Sequence, residues 1–285
     1  MSSMPSQAKK SLVAGIVQEK IFNLLKQGKR LDGRSPTDLR PITITTGIVE
    51  KADGSSLVSM GGTKILVGVK TEVGPPYPDR PREGSFTVNA ELLPLASISF
   101  EPGPPDERGV ELARVVDRSI RESKTIDLEK LCLIEGEKAY ILFIDVYVLD
   151  YDGNYYDPSV IAALAALATA KIPKYEVVGG KIQKTGEYFN LKLRSLPFTT
   201  TFGLIRGRFL VDPQLEEEAA LDVSIVIGID ELGNIISIQK NSPGLIPENL
   251  VEQLIQIARE KTETIRKKFC EELNINLEDY LKPSG

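Results

Sequence analysis

Two adjacent segments with almost no charged residues place the strongest constraint on the fold of this chain. Residues 139–149 are rich in β-branched and aromatic side chains, which is typical of a buried strand. A turn at Asp152-Gly153-Asn154 follows, and then a predicted Ala-rich helix at residues 160–171 that is apolar on nearly every face. Pro158 suits the first helical position, because its missing N–H would have no partner there. Both segments must be buried, so we expect layers of sheet and helix around them.

The rest of the chain is predicted to form two halves, each with strands first and a helix after them. A helix at residues 11–27, with Gly28 as its C-terminal stop, follows a loose tail at residues 1–10. Periodicity predicts further strands at residues 42–49, 57–60, 63–73, 85–92, 198–202, 206–212, 220–229 and 235–239. A final helix is predicted from Pro247 to about Leu273.

We therefore expect an α/β (α+β) protein of four segments. They are an N-terminal tail and helix at 1–28, a first half at 29–172, a linker or edge segment at 173–190, and a second half with the C-terminal helix at 191–285. No strict sequence repeat relates the two halves.

Composition narrows the possible chemistry. The sequence has no histidine, which removes Ser-His and Cys-His nucleophile pairs and histidine metal sites. Its two cysteines, Cys132 and Cys270, fit neither metal nor redox spacing, and we expect reduced core thiols in a cytosolic protein. The net charge of −5 means that any nucleic-acid contact must be a local patch or be shared with a partner. Neither a signal peptide nor a membrane span is predicted, so we expect a cytoplasmic location.

A local basic patch is predicted on the helix at residues 111–124, which follows an acidic, Pro-rich turn at residues 101–107. Arg114, Arg118 and Arg121 share one face, and their planar guanidinium groups suit an anionic ligand such as phosphate.

The opposite side of that helix is predicted to pack inward through Gly109, Ala113, Val116 and Ile120. An alternative is that the charged face is simply solvated. In that case ordinary surface ion pairs form, each contributing a few tenths of a kcal/mol. These pairs would be Asp117–Arg121, Glu111–Arg114 and Arg118–Glu122.

Five short motifs in order resemble the RNase PH family of phosphorolytic ribonucleases, and the resemblance extends from about residue 28 to 272. The motifs are Arg30-x-Asp32-Gly33-Arg34, Ala52-Asp53-Gly54-Ser55, Gly61-x-Thr63-Lys64, Val88-Asn89-x-Glu91-Leu92-Leu93-Pro94-Leu95-Ala96 and Asp145-Val146-x-Val148-Leu149-x-x-Asp152-Gly153. The resemblance implies the RNase PH fold, with two pseudo-symmetric βαβ-type halves and helices packed on mixed sheets.

Residues 100–107 and 111–118 are similar to the non-catalytic larger ring subunits within this family, those of archaeal exosomes. This resemblance implies a hexameric ring of three heterodimers, each pairing such a subunit with a catalytic RNase PH-like subunit. It also implies a cap of RNA-binding subunits and single-stranded RNA in a central channel. Degradation would run 3′→5′, using inorganic phosphate and Mg²⁺ in the complex, with no cofactor held by this subunit.

The sequence departs from the active members of the family where they cradle the attacking phosphate. Their Gly-Gly-[Ser/Thr]-Arg run corresponds here to Gly153-Asn154-Tyr155-Tyr156, and Asp157 follows. Tyrosine cannot supply the cationic fork of arginine, and we expect Asp157 to repel phosphate. We therefore expect no catalytic residue in this chain.

A second element of the family's site is partly present. Asp212 keeps the first of two aspartate positions, and Glu218 stands at the second. The alternative hypothesis is that the chain is itself a phosphate-dependent 3′–5′ exoribonuclease using these two carboxylates. Glu216 to Glu218, with Asp222 nearby, suggest either Mg²⁺ ligands or the acidic first turn of a short helix, and we favour the helix and predict no metal site.

The resemblance also bears on the arginine face, because the positions of Arg114 and Arg118 are associated with RNA near the partner's active site. We therefore predict that both bind RNA, whereas Arg121 is a weaker candidate for contact with RNA or phosphate. Arg80 and Arg82 lie in an exposed loop that we expect to be solvated rather than bound to RNA or a cap subunit.

Overall fold

The computed structural model describes residues 4–179 and 181–278, and its first half is built on a six-stranded sheet. The strands are β1 (Ile42–Thr46), β2 (Gly54–Met60), β3 (Thr63–Gly74), β4 (Ser85–Leu92), β5 (Cys132–Ile134) and β6 (Lys138–Asp150). Their order is β1-β2-β3-β6-β4, with β5 paired to β6. Among these described strands only β4 and β6 pair in parallel, so a crossover connects them, and β4 lies at the edge of the sheet.

A two-stranded antiparallel sheet follows, formed by β7 (Lys171–Val178) and β8 (Lys181–Asn190). The sequence analysis predicted a linker or edge segment here and did not predict the hairpin. Most of the residues in both strands are partly or fully exposed, so there is no apolar stripe by which periodicity could reveal them.

The second half is a four-stranded antiparallel sheet in the order β10-β9-β11-β12. Its strands are β9 (Phe198–Ile205), β10 (Arg208–Val211), β11 (Val223–Ile229) and β12 (Ile235–Lys240). All strands predicted from periodicity are present, with their ends shifted by a few residues. Strand β12 is an edge strand, and this position matters for the site described below.

In the described residues, five α-helices cover the sheets. They are α1 (Met4–Lys26), α2 (Glu107–Glu122), α3 (Tyr156–Ala168), α4 (Leu215–Glu218) and α5 (Glu248–Leu273). In the described part of the chain, no helix is long and apolar enough to cross a membrane. The α/β architecture with sheets, covering helices and an N-terminal helix is the one predicted.

Helix α3 occupies the centre of the core, as its composition predicted. It packs on β2 and β3 of the first sheet and on β9 of the second, so nearly every side chain is enclosed. Pro158 is the third residue of the helix rather than the first, but it still lies in the first turn, where N–H groups have no helical acceptor.

Two details of the helices and thiols differ from expectation. Helix α1 already begins at Met4, so the loose tail predicted at residues 4–10 is wrong, while residues 1–3 lie outside the described residues. Ala and Lys in that stretch are strong helix formers, which accounts for the earlier start. Cys132 and Cys270 are free, but both are half-buried rather than enclosed in the core.

Gly54 shows why the second motif requires glycine. A Cβ atom at this position would lie 2.3 Å from the carbonyl oxygen of Ala166 and 2.9 Å from the Cα of Ala170. Strand β2 therefore begins against the end of α3 with no space for a side chain. A Cβ atom added to Gly68, in the adjacent strand β3, would meet no neighbouring atom within 4 Å.

We predict that Gly54→Ala destabilises the protein by about 1–3 kcal/mol, because the backbone of α3 must move to admit a methyl group. The matched control is Gly68→Ala, which should leave stability unchanged or slightly raised, because alanine loses less conformational freedom on folding. Chemical unfolding of both variants measures the difference. Equal midpoints for the two variants would contradict the close packing of β2 on α3.

Candidate nucleic-acid interface and a closed carboxylate cluster

The predicted arginine face lies along a groove between α2 and the edge strand β4. Helix α2 begins at Glu107, where the side chain of Asp106 accepts a hydrogen bond from the N–H of Gly109 at 3.0 Å. The groove has a volume of about 650 Å³, and Arg114, Arg118 and Arg121 all line it. The three arginines are exposed, so the structure brings the predicted residues together on one accessible surface.

The inward face of α2 is close to the prediction. Gly109, Val116 and Ile120 are buried, together with Leu112, Val115 and Ser119. Ala113 is only half-buried and lines the groove instead.

Arg121 differs from the other two arginines because a carboxylate neutralises it. Its Nε and Nη2 atoms donate to Asp117 at 2.9 Å and 2.7 Å, which forms the predicted i,i+4 pair. Its guanidinium also stacks 4.2 Å from the ring centre of Phe86. The hydrogen bond with Asp117 raises the pKa of Arg121 above its usual value. Asp117 therefore neutralises much of the positive charge of Arg121.

Arg118 and Arg114 keep their charge available. Arg118 donates from Nη1 to the neutral amide oxygen of Gln239 on β12, at 3.1 Å. Within the described residues, Arg114 makes no hydrogen bond or ion pair, and the predicted pairs Glu111–Arg114 and Arg118–Glu122 are not formed. Of the three ion pairs predicted for a solvated face, the described residues form one, Asp117–Arg121.

The two loop arginines are exposed, as expected. Arg80 pairs with Glu83 at 3.4 Å and Arg82 pairs with Glu135 at 2.8 Å. Such exposed pairs contribute little to stability.

Asp212 is fully buried and lies in a cluster of its own hydrogen-bond donors rather than in an open site. Its carboxylate accepts five hydrogen bonds: from Arg34 Nη1 at 3.0 Å, from the backbone N and Nε of Arg40 at 2.9 Å each, from Arg40 Nη2 at 2.8 Å, and from Asn154 Nδ2 at 2.8 Å. These contacts hold Asp212 in the left-handed backbone region, with φ at 51°. The carboxylate is therefore satisfied by the protein itself.

Glu217 is neutralised in the same way by Arg30, and both side chains are fully buried. Arg30 Nε donates to Glu217 at 3.0 Å, and its Nη2 also donates to this carboxylate. The remaining Arg30 donors reach the carbonyl oxygens of Val211, Asp212 and Asp38 at 2.6–3.3 Å. Arg30 and Arg34 belong to the first sequence motif, but their binding of these acids was not predicted from the sequence.

Glu218, the second candidate catalytic carboxylate, is also engaged. It accepts hydrogen bonds from the hydroxyl of Tyr151 and from the backbone N of Asn154, the latter at 2.7 Å. Burial raises its pKa above the usual value. Asn154 therefore donates to both Asp212 and Glu218. The structure places the two carboxylates close together, and both already accept hydrogen bonds from the protein.

The remaining acids do not converge on a cation. Glu216 is exposed, and Asp222 accepts from Gln18 at 2.9 Å and from the backbone N of Arg206. Across residues 4–179 and 181–278, no group of three or more acidic or cysteine side chains could hold a metal ion. The predicted acidic first turn of a short helix is present as α4, so these residues do not fit the Mg²⁺ of the family's chemistry.

Tyr155 and Tyr156, which replace the expected hydroxyl-arginine pair in the sequence, lie in a cluster of aromatic rings. Tyr151, Tyr155 and Phe100 form a cluster with ring centres 5.1–5.5 Å apart, and Tyr156 lies 4.6 Å from Tyr155. Burial raises the pKa of Tyr155 to about 12 and raises the pKa values of Tyr151 and Tyr156 as well. The hydroxyls therefore stay neutral at physiological pH and supply no positive charge for an anion.

Asp157 points inward and is bound by donors of the protein itself. It is fully buried and accepts hydrogen bonds from Asn154, from the hydroxyls of Thr199 and Thr201, and from the backbone N of Thr201, at 2.8–2.9 Å. Burial raises its pKa to about 6. Its side chain turns inward because strand β9 offers it these donors, and it thereby ties α3 to the second sheet.

Comparison with known proteins adds to this geometry. A model of domain 1 of the 3′ exoribonuclease family matches residues 38–173, and a model of domain 2 of the same family matches residues 195–261. The exosome complex component Rrp42 of Thermococcus gammatolerans is 48% identical over 262 residues, which is 91% of this chain and 96% of the relative. The protein of the same name from Methanopyrus kandleri is 45% identical over 257 residues, covering 90% of this chain and 96% of the relative.

Solved structures show the same similarity. A chain of the Archaeoglobus fulgidus exosome with RNA bound to the active site is 42% identical, with a TM-score of 0.84, and the match covers 90% of this chain and 99% of that chain. Rice Rrp46 matches with a TM-score of 0.65 at 19% identity over 84% of this chain and 97% of that chain, a similarity of fold alone.

The closed cluster leads to a prediction about stability. Arg30→Met should destabilise the protein by about 3–5 kcal/mol, because it leaves Glu217 buried and unpaired. The double variant Arg30→Met with Glu217→Met should recover part of that loss, since no isolated charge remains.

The control is Arg80→Met, whose side chain is 58% exposed and whose effect should stay within about 0.5 kcal/mol. Denaturant titration with all three variants provides the measurement. An Arg30→Met variant as stable as the control would show that this ion pair does not hold the cluster together.

Proposed function

The chain belongs to the RNase PH family of 3′ exoribonucleases, and on this basis we propose that it is a non-catalytic ring subunit of an archaeal exosome. The similarity to Rrp42 proteins over about nine tenths of the chain supports the exosome assignment. The observation that carries the non-catalytic role is the occupied carboxylate cluster: Asp212 and Glu218 are bound by the protein's own donors. In this proposal the family's phosphorolytic chemistry belongs to another subunit.

The partner in this proposal is a catalytic RNase PH-like subunit. Three heterodimers would form a hexameric ring that carries RNA-binding cap subunits and admits single-stranded RNA. Inorganic phosphate and any Mg²⁺ would bind in the partner's site, because no acid cluster in the described part of this chain fits a cation. The proposal keeps the predicted segments, with residues 29–172 and 191–285 as the two halves.

We further propose that Arg114 and Arg118 contact the phosphate backbone of RNA. Both are exposed along the same groove, and neither is paired with a carboxylate in the described residues. Arg121 contributes less in this account, because Asp117 already neutralises it. Phosphate contacts position a strand without reading its sequence, so we expect binding to unstructured 3′ ends in general.

The second candidate is an active exoribonuclease that uses Asp212 and Glu218 itself. One observation favours it, namely that Asn154 brings the two carboxylates into one cluster. The buried arginines on Asp212 and the tyrosines in the place of the cradle argue against it, because a phosphate would have to displace both.

The double variant Arg114→Glu with Arg118→Glu tests the RNA-binding role. We expect the three-plus-three assembly to form normally with the catalytic partner, and RNA affinity to fall at least 10-fold. The plot of log binding constant against log salt concentration should become less steep by at least about 1.4. Each phosphate contact to a single strand contributes about 0.7 to the steepness of that plot. Light scattering gives the mass, and fluorescence anisotropy in phosphate-free buffer gives the affinity.

The matched control is Lys181→Glu with Lys184→Glu, which makes the same change in charge at exposed positions on β8 that do not line the groove. The proposal requires this control to keep most of its affinity. Loss of assembly in the arginine variant alone would instead identify Arg114 and Arg118 as interface residues.

A further inference from the structure

A chain of three hydrogen bonds connects Arg118 to Tyr156 at the start of α3. Arg118 donates to the amide oxygen of Gln239 at 3.1 Å, and the amide nitrogen of Gln239 donates to Glu111 at 3.1 Å. The other oxygen of Glu111 accepts from the hydroxyl of Tyr156 at 3.2 Å. From this geometry we infer that Gln239 positions Arg118 for RNA, and that Glu111 and Tyr156 hold Gln239 in place. The inference rests on the proposed RNA-binding role of Arg118.

An amide is the group that this place requires. Gln239 must accept from Arg118 and donate to Glu111 at the same time, and a glutamine side chain has one acceptor and one donor end for this purpose. The two partners therefore determine which way the amide points. A side chain with only donors or only acceptors could satisfy one of them but not both.

The amide also separates Glu111 from Arg118. These two residues lie seven positions apart on α2, on the same face, where a direct ion pair would neutralise the arginine. Arg121 shows the result of such pairing with Asp117. Gln239, in contrast, orients the guanidinium of Arg118 and leaves its positive charge free for a phosphate. Pre-orienting a long side chain in this way lowers the entropy lost on binding.

Tyr156 anchors the chain of bonds from the core. It is buried at the start of α3, and its ring packs against Tyr155. Burial raises its pKa, so the hydroxyl keeps its proton and donates to Glu111. Tyr156, which stands where active members carry the cradle motif in the sequence, thus has a structural role here. Through Glu111 on α2 and Gln239 on β12, its hydroxyl helps to hold the side chain of Arg118 in place.

A double-mutant cycle tests the inference on the full chain assembled with its catalytic partner, without inorganic phosphate, using an unstructured oligoribonucleotide. Gln239→Met keeps the length of the side chain but removes both hydrogen bonds. We expect it to weaken RNA binding about 3- to 10-fold when Arg118 is present, and to have no effect in an Arg118→Ala background. Glu111→Gln and Tyr156→Phe should weaken binding in the same Arg118-dependent way.

The variant Gln239→Glu tests whether the free charge of Arg118 matters in addition to its orientation. It keeps an acceptor for Arg118 but neutralises the arginine, so RNA affinity should stay as low as in Gln239→Met. The control Gln183→Met, at an exposed site on β8, should bind RNA normally.

The outcomes separate the inference from the proposal beneath it. Equal weakening by Gln239→Met with and without Arg118, or no weakening at all while Arg118→Ala weakens binding, would overturn the positioning role alone. An Arg118→Ala variant with normal RNA affinity would overturn the RNA-binding role of Arg118, and the positioning role with it.

Discussion

The buried carboxylate of Asp212 is the contact on which the arrangement of this molecule depends. It follows strand β10 in the second half, yet its donors come from the segment before β1 and from the loop between β6 and α3. Arg40 also donates to the carbonyl oxygens of Asp152 and Gly153, at 2.6 Å and 3.0 Å. One cluster therefore fixes the position of three distant segments, and the loss of one member would leave a buried charge without a partner.

The arginines of this chain include a buried group that is paired with acids and an exposed group that lines the groove. The arginines of the first motif point inward and neutralise Asp212 and Glu217, whereas Arg114 and Arg118 on α2 face outward into a groove. The acidic, Pro-rich turn at residues 101–107 begins α2 through Asp106 and sets where that face lies. A protein with a net charge of −5 can thus present two free cations at one place.

Local patterns predicted the parts of this structure that depend on nearby residues. The buried strand β6, the apolar helix α3 and the Asp117–Arg121 pair all follow from periodicity or spacing. Contacts between distant residues did not leave such a pattern. Arg40 reaches Asp212 across 172 positions and Gln239 reaches Glu111 across 128, so only the folded chain shows them. The inward direction of Asp157 likewise depends on donors from β9, which its local sequence does not show.

We propose that this chain holds no phosphorolytic site of its own. Release of nucleoside diphosphates from single-stranded RNA, with phosphate and Mg²⁺, tests it most directly, both for the purified chain and for the assembly with its partner. We expect no release by the chain alone, and normal release by an assembly in which this chain carries Glu218→Gln. Phosphate-dependent release by the chain alone, or loss of release by an assembly that forms normally with that substitution, would contradict the non-catalytic role.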